Sequence, residues 1–289
     1  MSLISIISMV KNEEEFITEA LDSILAQAGV ELEIIVVDDY STDSTFDILT
    51  DMSNVDSRLR AFKNTGKGKV DAFLYGCSKA NGDYLAFFAG DDIMPEDSLL
   101  NRFNAMQNIS SPAVLVSKIQ VMSEDKKIDG ILIPKTKGQG NPSGASIMID
   151  RAAAKYILDI PASLPNEDTW MDLCIKYIKK LNVVHQDQVA CFWRVHAGNS
   201  ITIQQGFENF NMKFSSRMEA LALFSEKYKL IMTQADRDTL LSIIKCEELR
   251  RESKSIRILF SDAPLQDKVR MFFYSNRLLF TIRRVLRAI

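Results

Sequence analysis

Two acidic pairs stand directly after apolar runs in the first hundred residues. Asp38-Asp39 follow Ile34-Ile35-Val36-Val37, and Asp91-Asp92 follow Tyr84-Leu85-Ala86-Phe87-Phe88 across Ala89-Gly90. A third polar step, Asn12-Glu13, follows the apolar stretch Leu3 to Met9. One Asp-Asp pair alone reads as a solvated turn or a helix N-cap, and Asp43 or Ser44 suits a cap. Two pairs after successive core strands, with Asn64-Thr65-Gly66-Lys67-Gly68-Lys69 between them, describe a crevice lined by carboxylates. Such groups repel one another unless a cation or a set of donors lies between them. Hard oxygen ligands favour Mg²⁺ or Mn²⁺, normally shared with phosphate oxygens. The Gly-Lys loop lacks the spacing of a P-loop, and no GxGxxG opens the first helix. The patterns of P-loop ATPases and dinucleotide-dependent dehydrogenases are therefore absent.

These residues need a scaffold that brings strand ends together. Leu3 to Ile7, Glu33 to Val37 and Tyr84 to Phe88 read as buried strands. Between the first two, Phe16, Ile17, Ala20, Leu21, Ile24 and Ala28 fall on one face of a helix. A second helix is expected from about Thr42 to Met52, and another opening at Pro95. Continuous β-branched runs separated by helices imply βαβ units and a mostly parallel, Rossmann-like α/β sheet flanked by helices. Ligands of such sheets bind outside the carboxyl ends of the strands, where the acidic pairs lie. Further on, Val114 to Val116, Ile128 to Ile133 and Ala145 to Ile149 read as short strands. Asn166 reads as the N-cap of a helix carrying Trp170, Leu173, Cys174, Tyr177, Ile178 and Leu181 on one stripe. The change of period near Gly206 divides the chain into 1–205 and a helical region 206–289.

Composition narrows the class. With 289 residues, 46% hydrophobic and 25% charged, the chain is that of an ordinary globular protein. A net charge of −3 offers no general attraction to nucleic acid, which is not an expected partner. The four cysteines form no CxxC pair and read as buried thiols rather than a disulfide framework. No signal-peptide pattern and no apolar run near the ~18 residues of a membrane span are seen, so a cytoplasmic or peripheral location is expected.

The segment from Ile4 through "LEIIVVDDYSTDST" to "NGDYLAFFAGDDIMPEDSL" resembles the opening of the family 2 glycosyltransferases, which have the GT-A fold. The likeness is continuous over residues 1 to about 100, with scattered motifs to about residue 202. The resemblance implies an inverting transfer of a sugar from a nucleotide diphosphate donor, UDP-linked by expectation. The acceptor would be a saccharide or lipid-linked hydroxyl, with surface polysaccharide synthesis as the setting. It implies that Asp39 reads the nucleotide base with Asp38 beside it, that Asp91 meets ribose or sugar, and that Asp92 binds Mn²⁺ or Mg²⁺. Ser143-Gly144-Ala145-Ser146 resembles the loop near the donor sugar, and Asn166-Glu167-Asp168 resembles the motif supplying the base, here Asp168. Arg194-Val195-His196-Ala197-Gly198-Asn199-Ser200 resembles the segment that closes on diphosphate and metal, giving Arg194 a donor role and His196 a metal role. Lys67 is a diphosphate candidate, and Lys69 shares its loop. Ala89 stands where many members carry a further acid, and Lys11 and Tyr40 also depart from the family pattern. The Ala89 and Lys11 departures bear on nucleotide choice more than on the fold. A sugar nucleotidyltransferase would want a Gly-rich basic signature after the first strand, where this chain has Lys11-Asn12-Glu13-Glu14-Glu15. A degenerate transferase serving as a scaffold is the non-enzymatic alternative.

The tail has its own logic. Residues 265–289 hold six basic residues against Asp267, a net +5, so the rest of the chain carries −8. Met271, Tyr274, Leu278, Ile282, Val285 and Ile289 recur at helical spacing, with Arg270, Arg277 and Arg284 on a neighbouring face. Two readings compete: the stripe packs against the body or a second subunit, or the helix lies on an anionic membrane surface.

Overall fold

The computed structural model describes residues 2–196 and 206–288, and the chain divides into two compact units, Met1–Ala197 and Gly198–Ile289. The first unit runs β1 (Leu3–Val10), α1 (Ile17–Leu25), β2 (Glu31–Asp38), α2 (Thr45–Val55), β3 (Leu59–Lys63), α3 (Gly68–Lys79), β4 (Tyr84–Ala89) and α4 (Ser98–Met106). It continues through β5 (Ala113–Ser123), β6 (Leu132–Ile133), a 3₁₀ turn (Gly144–Ser146), β7 (Ile147–Asp150), α5 (Arg151–Ile157), α6 (Asp168–Tyr177) and β8 (Asn182–Val195).

The eight strands form one sheet in the order β3-β2-β1-β4-β7-β5-β6, with β8 paired to β5. The first four are mutually parallel, because each pair is joined by a helical crossover. Ile4, Ile6, Ile34, Val36, Ala86 and Phe88 build the main core with Ile17, Leu21 and Ile24 of α1. Register matters most for function. Val10 pairs with Asp38, Asp38 with Lys63, and Met9 with Ala89. The loops after β1, β2, β3 and β4 therefore leave the sheet along one edge, between the strands where the order turns back on itself. Gly90 makes the exit from β4 possible: a Cβ there would stand 2.6 Å from Val10 Cγ1.

Several elements differ from the sequence expectations. The strand β3 lies between α2 and α3 and is missing from that reading, because its residues Leu-Arg-Ala-Phe-Lys mix charge with apolar groups at a sheet edge. Regular helix begins at Ser98 rather than Pro95, since Asp97 sits in a left-handed conformation at φ +58°. Glu167, not Asn166, occupies the N-cap position of α6, and the Asn166 amide turns to Asp168 instead. The short strand expected at 114–116 extends to Ser123, and β7 runs antiparallel to both β4 and β5.

The second unit holds α7 (Phe207–Tyr228), α8 (Gln234–Arg251), α9 (Ser255–Leu259), α10 (Leu265–Phe273) and α11 (Arg277–Ala288). Phe210, Tyr274 and Phe280 form its aromatic centre, with Phe207, Phe214 and Phe273 packed around them. Arg250 is buried beneath it, paired with Glu247 and bonded to Asn211, Ser215 and the Tyr274 carbonyl. The tail is two helices, not one. The break falls at Tyr274-Ser275-Asn276, where the Asn276 side chain accepts the Leu279 N–H and starts α11. Ile289 lies outside the described residues. Among the described residues no helix is long and apolar enough to cross a membrane.

Candidate active site

At the β2 end, Asp39 is fixed from both sides. Its backbone N–H donates to the Val10 carbonyl at 2.8 Å, and one carboxylate oxygen accepts from Asn64 Nδ2 at 2.7 Å. Asn64, buried at the end of β3, also receives the Gly66 N–H on its side-chain oxygen and so shapes the Gly-Lys loop. Neighbouring Asp38 is buried and accepts the Ser41 N–H on Oδ2, while its Oδ1 has no protein partner. A buried carboxylate oxygen without a donor is costly, and a ligand donor would relieve it. Tyr40 and Asn12 both adopt left-handed backbone, φ +59° and +56°. These turns let Asn12 accept the Thr42 N–H and Ser41 Oγ accept the Asn12 N–H, so the loops after β1 and β2 are stapled together. The Tyr40 hydroxyl reaches the Gly66 carbonyl across the same opening.

Several carboxyl groups crowd the centre. Burial, followed by the charge of Asp91, pushes Asp92 up to about 7. Glu13 is likewise raised to about 7 by burial and then by Asp91, Asp43 and Asp92. Local positive charge is committed to holding the turn. Arg194 donates its backbone N–H to Asp92 Oδ1 at 3.0 Å and its Nε to the Asp91 carbonyl at 2.8 Å. Its Nη2 pairs with Glu19 at 2.6 Å, and its guanidinium lies over Phe16. Arg194 thus braces the Asp91-Asp92 turn through protein contacts. His196 approaches Asp91 Oδ2 at 3.1 Å and rests against the same Phe16 ring. A backbone pairing of Ile93 with Phe192 holds β8 against this turn.

Among the described residues no group of three or more His, Cys, Asp and Glu could hold an ion by itself. Mg²⁺ at phosphate-binding sites is usually held by one or two protein carboxylates, with phosphate and water completing the shell. The carboxylate oxygens of Asp91 and Asp92 and the His196 imidazole are donors of the kind such an ion takes.

A second acidic pair lies on α6. Glu167 is buried and joined to Lys69 Nζ at 2.8 Å; burial and then Asp168 raise its carboxyl above the usual range. Asp168 is more open. Its Oδ1 accepts the Gly144 N–H at 3.0 Å, and Asn166 Nδ2 reaches its Oδ2 at only 3.4 Å. A Cβ on Gly144 would make ordinary contacts with Asp168, Glu167 and Phe87, so Gly144 serves here through its N–H. Of the two loop lysines, Lys69 reaches this pair, whereas the described contact of Lys67 is its backbone N–H to Asp71.

Asp38, Asp39, Asp91, Asp92, Arg194 and His196 thus belong to linked loops on the carboxyl edge, and Gly144 and Asp168 are bonded to each other. Residues 197–200 of the His segment lie outside the described residues. The sequence reading gave no role to Asn64 or Phe16; recognising that Asn64 ends a strand would have exposed the first.

The model of glycosyl transferase family 2 matches residues 5–154, just over half the chain, and the protein belongs to that family. A curated relative, the E. coli UDP-Glc:alpha-D-GlcNAc-diphosphoundecaprenol beta-1,3-glucosyltransferase WfaP, is 28% identical over 69% of this chain and 80% of its own. Among solved structures, S. aureus TarS in complex with UDP-GlcNAc superposes with a TM-score of 0.64 at 19% identity, covering 95% of this chain and 79% of that one. The Pyrobaculum calidifontis mannosyltransferase PcManGT, in complex with GDP-Man and Mn²⁺, gives 0.58 at 13% identity over 98% and 86%. These structural likenesses establish the GT-A fold, and the family establishes a glycosyltransferase.

Proposed function

We propose that the protein is a metal-dependent inverting transferase that moves a sugar from a UDP-sugar to a hydroxyl of a saccharide or lipid-linked acceptor in polysaccharide assembly. The observation that carries this reading is that Asp39, held by Asn64, and the raised carboxyls of Glu13 and Asp92 lie in loops at the same carboxyl edge of the sheet. The UDP donors named for the E. coli and S. aureus proteins support the choice of base. The diphosphoundecaprenol acceptor of the former supports a lipid-linked acceptor met at the cytoplasmic membrane face.

Asp39 orients the base, with Asp38 available to a second donor group of the nucleotide, and Asp91 meets the ribose or sugar. Asp92 and His196 would hold Mn²⁺ or Mg²⁺, which when bound supplies positive charge to the diphosphate. Arg194 keeps the Asp91-Asp92 turn in place. Asp168, fixed by the Gly144 N–H, accepts the proton of the acceptor hydroxyl as its oxygen bonds to the anomeric carbon and the bond to the diphosphate breaks on the opposite face. Glu167, beside Asp168 at the start of α6, is paired with Lys69. Lys67 remains a candidate for the diphosphate from its exposed loop.

A thermal-shift panel of UDP, GDP and ADP with and without Mn²⁺ tests the donor assignment. UDP with Mn²⁺ gives the largest rise in Tm; an equal rise without metal, or preference for ADP, overturns it.

A further inference from the structure

Surface helices normally present one apolar stripe inward and polar groups outward. The last two helices present apolar groups on both sides. In α11 the inward residue is Phe280, buried against Phe210, Phe207 and Tyr274. With ~100° per residue, Leu278, Ile282 and Val285 lie roughly 140–160° from it. They are 71%, 40% and 56% exposed. In α10 the inward residue is Met271, and Leu265 and Val269 lie on the opposite side, 76% and 44% exposed. The stripe read from the sequence as a single seam is therefore divided: Met271 and Tyr274 enter the core, and Leu278, Ile282 and Val285 leave it. Basic groups flank the outward residues. Arg277 and Arg284 are exposed, seven residues apart, and on the same spacing lie about 80–160° round the helix from those residues, at the margin of the outward face. Arg283 is folded back over Tyr274 and Phe273, donating to the Arg270 carbonyl.

We propose that the outward face of α10 and α11 seats this chain on an anionic lipid surface, with Leu278, Ile282 and Val285 entering the interface and Arg277 and Arg284 meeting the headgroups. Charge selects this occupant. Arg277 and Arg284 are exposed at the margin of this face, in a segment that carries +5 as a whole, so a two-fold pairing of this face with itself would set like charges together, whereas anionic lipid matches both the apolar residues and the arginines. The remaining −8 of the chain makes a local cationic face necessary for approach to such a surface. This inference deepens the reading of a lipid-linked acceptor, because it brings the protein to the plane where that acceptor lies.

The full-length protein is sedimented with vesicles of pure phosphatidylcholine and with vesicles containing phosphatidylglycerol. Binding to the second and not the first is expected, weakening with salt. Leu278→Ser/Ile282→Ser/Val285→Ser abolishes sedimentation. Arg277→Gln/Arg284→Gln weakens it by roughly 30-fold, the equivalent of about 1 kcal/mol per basic residue. Both variants replace exposed groups, so an unchanged cooperative melt and unchanged Mn²⁺-dependent UDP binding are read alongside. Equal binding to both vesicle types, no binding to either, or variants that sediment like the parent overturn the proposal. So does a parent that is dimeric by light scattering and becomes monomeric in the triple serine variant, which assigns the face to a second copy. UDP binding that fails while sedimentation persists refutes the donor reading and leaves the surface intact.

Discussion

The two ends of the same strands treat their carboxylates in opposite ways. Toward the amino end, Glu33 of β2 is also buried, and burial by itself would raise it. Donors from Ser5, Asn81 and Arg60 outweigh that and hold it below the usual range. Toward the carboxyl end, buried Asp92 and half-buried Glu13 are raised to about 7 by desolvation and by neighbouring acids. The difference separates a group that fastens the sheet from groups that we propose receive a ligand. The α6 pair falls between these extremes: Glu167 has Lys69, and Asp168 has one firm donor and an open face.

That contrast can be sharpened by removing groups one at a time. The largest effect is expected from Asp168→Asn, which preserves shape but removes the proton acceptor. Turnover of a UDP-sugar should fall by roughly 10²–10⁴ while UDP affinity is retained. Turnover within a few-fold of the parent would move the base elsewhere, with Glu167 next to test. A smaller effect is expected from Asn64→Ala, which frees Asp39 without touching the central carboxylates. Losing a hydrogen bond to a charged group costs about 1.5–3 kcal/mol, so the Kd for UDP should rise roughly 10- to 100-fold with kcat nearly unchanged. A matching fall in kcat would show instead that Asn64 supports the reacting centre.

The half of the site built on regular buried strands was legible in the sequence. Ile34 to Val37 and Tyr84 to Phe88 can hardly be anything but core strands, and acids after them must lie at the sheet edge. What escaped had weak local signals. Leu59–Lys63 carries two basic residues in five and lies at the sheet edge, so its period gave no sign of a strand and the position of Asn64 at its end stayed hidden. Asn182–Val195 has several exposed side chains, and only its pairing with β5 reveals fourteen extended residues that carry Arg194 toward Asp92. Spacing alone favoured an uninterrupted tail helix, whereas Ser275 and Asn276 supply a stop and a new cap. Nothing in the sequence distinguishes Lys67 from Lys69; the register of α3 does, by bringing the second against Glu167.

We propose that Asp92, with His196, seats a cation shared with the donor diphosphate, in the field of Glu13 and Asp91. The raised group Asp92, ordinarily at 3.8, favours the folded state fully below that value when no cation is bound, and that contribution is lost as pH rises through about 7. A cation requires the ionised form, so its affinity should grow across the same window. Titration calorimetry of UDP with and without Mn²⁺ at about pH 5.5 and about pH 8 reads this directly. The account predicts a Mn²⁺-dependent gain in UDP affinity that is small at the lower pH, large at the higher one, and absent at both in Asp92→Asn. A gain equal at the two pH values, or one that survives in Asp92→Asn, would contradict it.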